Sequence, residues 1–381
     1  MKATLITSIL CVCVLFGCTS SPDTQAEQSV PSGPAQWVTN DGHEGPGAGK
    51  HIVLVSGDEE YRSEEALPQL AKILSHHHGF KTTVLFAQDP ANAGMIDPNY
   101  TDNIPGMEAL ASADLMVLFT RFRALPDDQM NHIKDYLMEG KPVFALRTAT
   151  HAFQFRDSTS KWLHWSNSFN DESSPWNGGF GRLVLGEKWY THHGHHKHQS
   201  TRGLIAEGAA DHPIATGLAD GDIWGSTDVY GVRLPMPEGV TPIIMGQVIN
   251  RPGAFDENDL FFGMSPTDTE VATTNPGSKK TYNPNDPIMP IAWTKPYQLP
   301  EGKSGMAFTS TIGSSSDMVN DGVRHLMVNA VYNLLDMDVP AQATIDVVGT
   351  FNPSQYSFQT DEYWDEKNLK VADHSSHEGD H

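Results

Sequence analysis

Short apolar runs that alternate with amphipathic segments constrain the fold of this chain most strongly. The segments at 63–78 and 127–139 carry apolar side chains at helical spacing and end at glycine. Because strands that alternate with helices build parallel sheets, we predict a parallel sheet with helices on both faces. Functional side chains of such sheets collect at the carboxyl ends of the strands. Four runs are typical of strands buried on both faces: 51–57, 82–87, 115–119 and 142–146.

The pattern becomes less regular after residue 150, where Trp, His and Gly are frequent. A helix is predicted from about 318 to 335, and it would close an α/β domain over 50–340 that contains a loop-rich insertion. Strand-like runs return at 182–186, 241–249, 288–294 and 305–311.

All three cysteines lie near the N-terminus, at Cys11, Cys13 and Cys18. The short basic start and the apolar run to Gly17 are typical of a signal peptide over residues 1–17. The run ends Leu-Phe-Gly-Cys, which resembles a bacterial lipobox, although Phe at the second position departs from that pattern. We therefore expect a lipid on Cys18, with an ordinary cleaved signal peptide as the alternative.

The expected order of segments follows from composition. Residues 18–49 are rich in Ser, Pro and Gly and are predicted to be a flexible linker behind the lipidated cysteine. Residues 341–371 would form a C-terminal extension that packs on the domain, and 372–381 would be a disordered tail. The expected location is the cell envelope, at the outer membrane in a Gram-negative host.

The charge balance limits the partners. The chain has 47 acidic and 25 basic residues, for a formal net charge of −22. Such a surface repels phosphate backbones, so we expect no nucleic-acid partner and membrane attachment only through the lipid. With Cys18 lipidated and the signal peptide removed, no thiol would remain for a disulfide or a cysteine nucleophile.

A cluster of five histidines occupies seven positions between His192 and His198. Neutral imidazoles bind zinc and other transition metals, so His193, His195 and His196 are candidate ligands of a divalent metal such as zinc. The spacing is not that of a helical metal pair, and no carboxylate is interleaved. The alternative is a polar loop that lines a pocket without a metal.

The end of the fourth predicted strand is a second candidate position. Its turn contains Thr148 and His151 but neither a cysteine nor a Gly-x-Ser-x-Gly elbow. His151 would act as an acid or base together with His193 or His195, whereas Thr148 would contact a ligand. The alternative is that the threonine shapes the turn and His151 packs beneath it.

Polar and aromatic side chains follow other predicted strands at the same edge. Carboxylates, guanidinium groups and aromatic rings that converge there could bind a polyhydroxylated ligand such as a carbohydrate. The alternatives are structural, because carboxylates also favour a helix N-terminus and form ion pairs with arginines. The candidate substrate-binding residues are Asp58, Glu59, Tyr61, Arg121, Arg123, Asp228 and Tyr230.

Eight short motifs lie in order along about 290 residues, at 57–58, 147–153, 211–214, 217–218, 228–230, 290–297, 308–313 and 328–331. Together they resemble the ThuA-like, or trehalose-utilisation, family of the class I glutamine amidotransferase-like superfamily. The resemblance implies a flavodoxin-like sheet and a role in the metabolism of disaccharides or their keto derivatives. The superfamily's cysteine triad has no counterpart here, so we expect no glutaminase activity.

Three functions are compatible with the sequence. The first is an enzyme that acts on a sugar or keto-sugar by hydrolysis or proton transfer. The second is a non-catalytic carbohydrate-binding lipoprotein, and a structural domain with a degenerate site is a third, weaker option. An enzyme needs titratable groups that converge in one pocket, whereas a binding protein needs only aromatic surfaces and hydrogen-bonding groups.

Overall fold

Ten strands form one mixed sheet in the computed structural model, which describes Met1 and residues 33–375. The expectations for the signal peptide, for Cys18 and for the last six residues lie outside the described residues and stay predictions. The strands are β1 (Trp37–Asn40), β2 (His51–Gly57), β3 (Lys81–Phe86), β4 (Leu115–Thr120), β5 (Val143–Leu146), β6 (Gln199–Ile205), β7 (Trp224–Gly225), β8 (Thr241–Asn250), β9 (Met289–Gln298) and β10 (Ser304–Ser310).

The sheet order is β1-β3-β2-β4-β5-β10-β9-β8-β6-β7. The five central strands from β3 to β10 pair in parallel, as the sequence predicts. The strands on either side pair antiparallel, so the second half of the sheet differs from the parallel arrangement. The α/β class is confirmed, and the sheet is mixed rather than purely parallel.

Alternate residues of the parallel strands face two separate apolar cores. On β2, Ile52 and Leu54 point to one core, whereas Val53 and Val55 point to the other. The first core is covered by α1 (Ser63–His78) and α3 (Asp321–Leu334), and the second by α2 (Asp127–Met138). Burial on both faces explains why these strands are continuous apolar runs in the sequence.

Two of the helices end or begin at a clear local signal. Helix α1 ends at Gly79, whose φ of 76° lies in the left-handed region that glycine adopts without steric cost. Helix α3 begins after Asn320, whose side chain accepts a hydrogen bond from the backbone N–H of Val323. A fourth, short helix, α4 (Asp361–Lys367), follows in the C-terminal extension.

The strand predicted at 182–186 is wrong. Residues Gly181–Leu185 form a single π-helical turn, and Val184 and Leu185 are buried in the second core. A short apolar run does not separate a buried strand from a buried helical turn, because both place large side chains in the core. The other three predicted runs are confirmed as β8, β9 and β10.

Two predicted flexible segments are partly ordered. Residues 37–40 of the predicted linker form β1, which pairs with β3 at the sheet edge and buries Val38 and Asn40. At the other end, residues 371–374 form a 3₁₀ turn in which the ring of His374 stacks on Phe86. Packing against the sheet edge outweighs the polar composition that suggested disorder.

The C-terminal extension packs on the domain beside the strand ends. Tyr356 is fully buried and stacks on Tyr61 at 5.2 Å between ring centroids. Trp364 lies under the guanidinium of Arg62 at 4.8 Å. Within residues 33–375, no helix combines the length and hydropathy needed to cross a bilayer.

Candidate active site

A buried carboxylate, Asp228, holds two histidines of the cluster. Its Oδ2 lies 2.9 Å from Nδ1 of His192, and its Oδ1 lies 3.1 Å from Nδ1 of His196. Because an ionised carboxylate only accepts hydrogen bonds, each imidazole would carry its proton on Nδ1. That tautomer leaves Nε2 of both rings unprotonated in the neutral state.

Arg147 forms a buried ion pair with the same carboxylate. Nη2 of Arg147 donates to Oδ1 of Asp228 at 3.0 Å, and both side chains are fully buried. Burial alone would raise the pKa of Asp228. The charge of His192, the hydrogen bonds to His192 and His196 and the charge of Arg147 together lower it by more, so the pKa lies well below its usual range. Asp228 therefore stays ionised at neutral pH.

Asp228 raises the pKa of both imidazoles, but the net shifts are opposite because burial opposes it to different extents. Burial lowers the pKa of His192, but the charge of Asp228 and the hydrogen bond to it raise it more, so the net shift is upward. For His196 burial dominates, and the hydrogen bond to Asp228 offsets only part of it, so its pKa is lowered. A pair of titratable groups with pKa values moved apart is typical of acid–base sites.

Arg147 occupies the sharp turn directly after β5. Its φ of 42° is a left-handed value that a side-chain-bearing residue adopts only when its surroundings hold it there. Nη1 donates to the carbonyl oxygens of Asp228 at 2.7 Å and Thr311 at 2.6 Å. The guanidinium lies between the rings of Tyr61 and Tyr230, at 4.4 Å and 3.8 Å from their centroids. The turn after β5 thus places a cation that holds the carboxylate of Asp228 in position.

The histidine loop reaches Asp228 because the backbone of the loop forms hydrogen bonds with Val229, the residue after Asp228. The N–H groups of His193 and Gly194 both donate to the carbonyl oxygen of Val229, at 2.8 Å and 3.0 Å. A Cβ at position 194 would lie 3.2 Å from the Cβ of Asp228, so a glycine allows this close approach. The result is that His192 and His196 flank the carboxylate.

Glu60 adds a second carboxyl group to the site. Its Oε1 lies 3.5 Å from Nε2 of His196, and its Oε2 lies 3.7 Å from Nε of Arg121. Burial, followed by the charge of Asp58, raises the pKa of Glu60 to about 7. Glu60 can therefore exchange a proton near neutral pH at the far side of His196.

His151 lies beneath the site in an aromatic cage. Its ring centroid is 4.8 Å from Phe122, 5.2 Å from Trp189 and 6.2 Å from Tyr230. Burial and the charges of nearby cations lower the pKa of His151 well below its ordinary value. A neutral, enclosed imidazole of this kind packs against the aromatic wall, and the acid–base role predicted for His151 stays a prediction.

A cavity of about 490 Å³ opens above the histidines. Its volume suits a small-molecule ligand. Of the candidate residues proposed from sequence, His195 and His196 lie on its wall. The wall consists of Trp189, Tyr190, Thr191, His192, Gly194, His195, His196, His198, Asn275, Gly277, Ser278 and Lys279.

Two of the three histidines that the sequence analysis expects to bind a metal have other partners in the structure. Nε2 of His193 lies 2.8 Å from the carbonyl oxygen of Pro284, and its ring packs on Tyr282. The ring of His195 stacks on His198 instead. Among residues 33–375, the group that brings three ligating atoms within 4.8 Å of one another is His192, His196 and Asp228.

The remaining predicted ligand residues mostly bind one another. Thr148 donates to Asp58 at 2.6 Å, and Asp58 also accepts from the backbone N–H groups of Glu60 and Tyr61. Glu59 forms ion pairs with both Arg121 and Arg123. Asp58, Thr148 and Arg123 are fully buried, and these contacts hold the strand-end loops in place. The substrate-binding role predicted for these residues stays a prediction.

Three side chains of the candidate site were not predicted from the sequence, namely His192, Glu60 and Arg147. His192 belongs to the cluster, but its partner Asp228 is 36 positions away in the chain. Glu60 differs from its neighbour Glu59 only in the direction of its side chain, which a sequence pattern does not give. Arg147 could have been found as a charged residue at the end of an apolar strand.

Comparisons with known proteins give a distant likeness. No family model and no curated protein matches the chain. A solved structure from Bacteroides uniformis, provisionally named ThuA-like, is 13% identical over 78% of this chain and 95% of its own, with a TM-score of 0.43. Another from Parabacteroides merdae, named likewise, is 12% identical over 81% and 97%, with a TM-score of 0.39. Both names agree with the family that the sequence resembles. At these TM-scores the likeness carries no argument about chemistry.

Proposed function

We propose that this ThuA-like chain is an enzyme that acts on a sugar or keto-sugar by acid–base proton transfer or hydrolysis. The observation that carries the proposal is the pair His192 and His196, held by the buried carboxylate of Asp228 beneath an open cavity. A site that only binds carbohydrate needs no buried, ionised carboxylate behind two imidazoles, because their orientation matters chiefly for moving protons.

The two imidazoles would have different roles. Nε2 of His196 faces Glu60 at 3.5 Å, so these two groups form a proton-sharing pair. The side chain of His192 is 38% exposed and lines the cavity, so its Nε2 is the atom placed to take a proton from a ligand. Asp228 stabilises the imidazolium that would form at His192. Proton abstraction next to a carbonyl and activation of water are both consistent with this arrangement.

Removal of the His192 imidazole tests the proposal. We expect purified protein to convert at least one member of a panel of disaccharides and keto-disaccharides, measured by chromatography of the products. His192→Gln should lower kcat/KM by about 10²-fold or more, because it removes the acid–base group. The matched control is His198→Gln, since His198 lines the same cavity but makes its hydrogen bond with Arg251. Equal loss in both variants, or none in either, would contradict the role of His192.

A second candidate function uses the same residues to hold a metal. One ligating atom each from His192, His196 and Asp228 lie within 4.8 Å of one another, which suits a transition metal such as zinc. If the ligating atoms are the Nδ1 nitrogens that face Asp228, metal binding requires both to be unprotonated and excludes the hydrogen-bonded arrangement described above. Elemental analysis after zinc loading decides between them. The metal site predicts about one zinc per chain, reduced by His196→Gln but not by His195→Gln, whereas acid–base catalysis alone predicts no bound zinc in any variant.

Across the sheet, the five parallel strands lie in the order second, first, third, fourth and fifth, numbered by their position in the chain. This order supports the proposal of a flavodoxin-like core.

The alternative function, a carbohydrate-binding lipoprotein, would bind members of the same sugar panel in calorimetry without converting any of them. In that case His192→Gln would weaken affinity, and no product would form with the wild-type protein.

A further inference from the structure

A second, basic cleft of about 220 Å³ lies apart from the histidines. Three of its side chains are cations, and none of its lining residues is acidic. Behind the wall, the buried carboxylate of Glu187 pairs with Arg182 at 3.1 Å and with Arg233 at 2.7 Å. Three cations and one carboxylate leave an excess of positive charge in a chain whose net charge is −22. The basic cleft is lined by Asn170, Asn177, Gly178, Arg182, Lys188 and Arg233.

The cations of the basic cleft have unused donors. Nζ of Lys188 donates to the carbonyl oxygen of Asn167 at 2.7 Å and to Oδ1 of Asn170 at 2.8 Å, which uses two of its three N–H groups. Each guanidinium has five N–H donors, and Glu187 engages one Nη1 of each. Arg182 is 32% exposed and Arg233 is 44% exposed, so their remaining N–H groups can reach a ligand.

Charge in the basic cleft is not balanced at Lys188. Burial lowers the pKa of this ammonium, and the charge of Arg233 lowers it further, while Glu187 partly restores it. The side chain nevertheless stays inside the cleft, with the residue only 7% exposed. The positive charges of Lys188 and Arg233 repel each other, and a bound anion would relieve that repulsion.

Local backbone structure sets the position of Arg182. This residue lies in the π-helical turn Gly181–Leu185, a distortion that often occurs at functional sites. Its aliphatic stem crosses Gly178 so closely that a Cβ there would lie 2.2 Å from Cγ of Arg182. Gly178 also has a φ of 89°, so both the conformation and the close approach favour glycine.

The basic cleft and the histidine cavity share a neighbour. The guanidinium of Arg233 lies 4.1 Å from the ring centroid of Tyr190, and Tyr190 lines the histidine cavity. Lys188 and His192 are four positions apart in the chain, so their Cα atoms lie about 14 Å apart at most. A single ligand of modest size could therefore reach both places.

We propose that the basic cleft binds an oxyanion group, meaning a sulfate, a phosphate or a carboxylate. Arg182 and Arg233 offer planar N–H pairs that suit such groups, and Lys188 supplies a buried point charge. The anion is either a free inorganic ion or the acidic group of a sugar whose remainder lies in the histidine cavity. The second source rests on the proposed function, whereas the oxyanion site itself does not.

Calorimetry at constant ionic strength tests the oxyanion site. Sulfate, phosphate and glucuronate are titrated separately into the full chain, with chloride as the balancing ion. We expect saturable binding of at least one of them, weakened at least tenfold by Arg182→Gln and by Arg233→Gln. Both side chains are partly exposed, so both variants should fold, which circular dichroism checks. The matched control, Lys303→Gln, removes one exposed cation elsewhere and should bind as the wild type does.

The outcomes separate the oxyanion site from non-specific charge and from the proposed enzyme. Absence of saturable binding, or equal weakening in Lys303→Gln, would overturn the proposal. A sulfated sugar that binds at least tenfold more tightly than sulfate, with the gain lost in Tyr190→Ala, would identify an acidic sugar as the source. Equal affinities would identify the free ion. Anion binding without any sugar conversion would leave the oxyanion site standing while the proposed function fails.

Discussion

Replacement of Asp228 by asparagine should lower kcat/KM on a sugar substrate by about 10² to 10⁴-fold, the range expected when the group that orients a catalytic imidazole is lost. An asparagine has almost the same shape, but it is neutral and presents one amide N–H₂ group. Nδ1 of His192 or His196 would then face a donor, so one ring would change its tautomer. The measurement is steady-state kinetics on the substrate that the panel identifies.

Stability must be measured alongside, because the substitution also leaves Arg147 without its buried carboxylate partner. The loss of one member of a buried ion pair destabilises by about 3–5 kcal/mol. Arg147 retains its bonds to the carbonyl oxygens of residues 228 and 311, which lessen that cost. Kinetics are therefore recorded at a temperature where circular dichroism shows the variant folded. An Asp228→Asn protein that is folded and fully active would contradict the role of the carboxylate.

The second large effect concerns a buried carboxyl group in α1. Glu64 is 1% exposed, and neither of its carboxyl oxygens has a hydrogen-bond partner among the described residues. Burial raises the pKa of Glu64 to about 8, although Arg62, 4.0 Å away, partly opposes the shift. The folded state therefore favours the protonated form.

The sign of the pH dependence follows from that shift. Below about pH 4.5 the carboxyl is protonated in both states, so its stabilising effect is fully present. As pH rises towards 8, the unfolded chain ionises first, and on the order of 4 kcal/mol of stability is lost. Glu64→Gln cannot ionise, so its free energy of unfolding relative to the wild type should increase by that order between pH 4.5 and pH 8.

Urea unfolding at the two pH values measures this difference. The matched control is Glu139→Gln, because Glu139 is exposed and its hydrogen bond with Lys303 lowers its pKa. That variant should differ from the wild type by nearly the same amount at the two pH values. A Glu64→Gln difference that does not change with pH would show that Glu64 ionises normally in the folded protein.

The parallel half of the sheet could be predicted because burial on both faces leaves a direct sequence signal. Runs such as 52–55 and 115–119 are apolar at every position, and both are confirmed as strands. The edge strand β1 could not be predicted, since its residues 37–40 are half exposed and follow a polar stretch. At 182–186 the same apolar signal arose from a buried π turn, which only tertiary packing distinguishes.

The candidate site was predicted as a region rather than as a set of contacts. Residue composition located the histidine cluster and the strand-end loops, because ligating and titratable types are concentrated there. Which imidazole faces Asp228 depends on how the loop docks on Val229, and that contact joins segments more than thirty residues apart. Likewise, Glu59 and Glu60 are identical in type, yet one pairs with Arg123 and the other faces His196.

Proton NMR of a keto-disaccharide in D₂O tests most directly whether His192, oriented by Asp228, moves protons. With wild-type protein, we expect either cleavage of the glycosidic bond or replacement of the C–H proton next to the carbonyl by deuterium. Either reaction should be slowed by about 10²-fold or more in Asp228→Asn. Resonance shifts that report binding, without cleavage or exchange above the rate in buffer, would contradict the account and leave carbohydrate binding as the function.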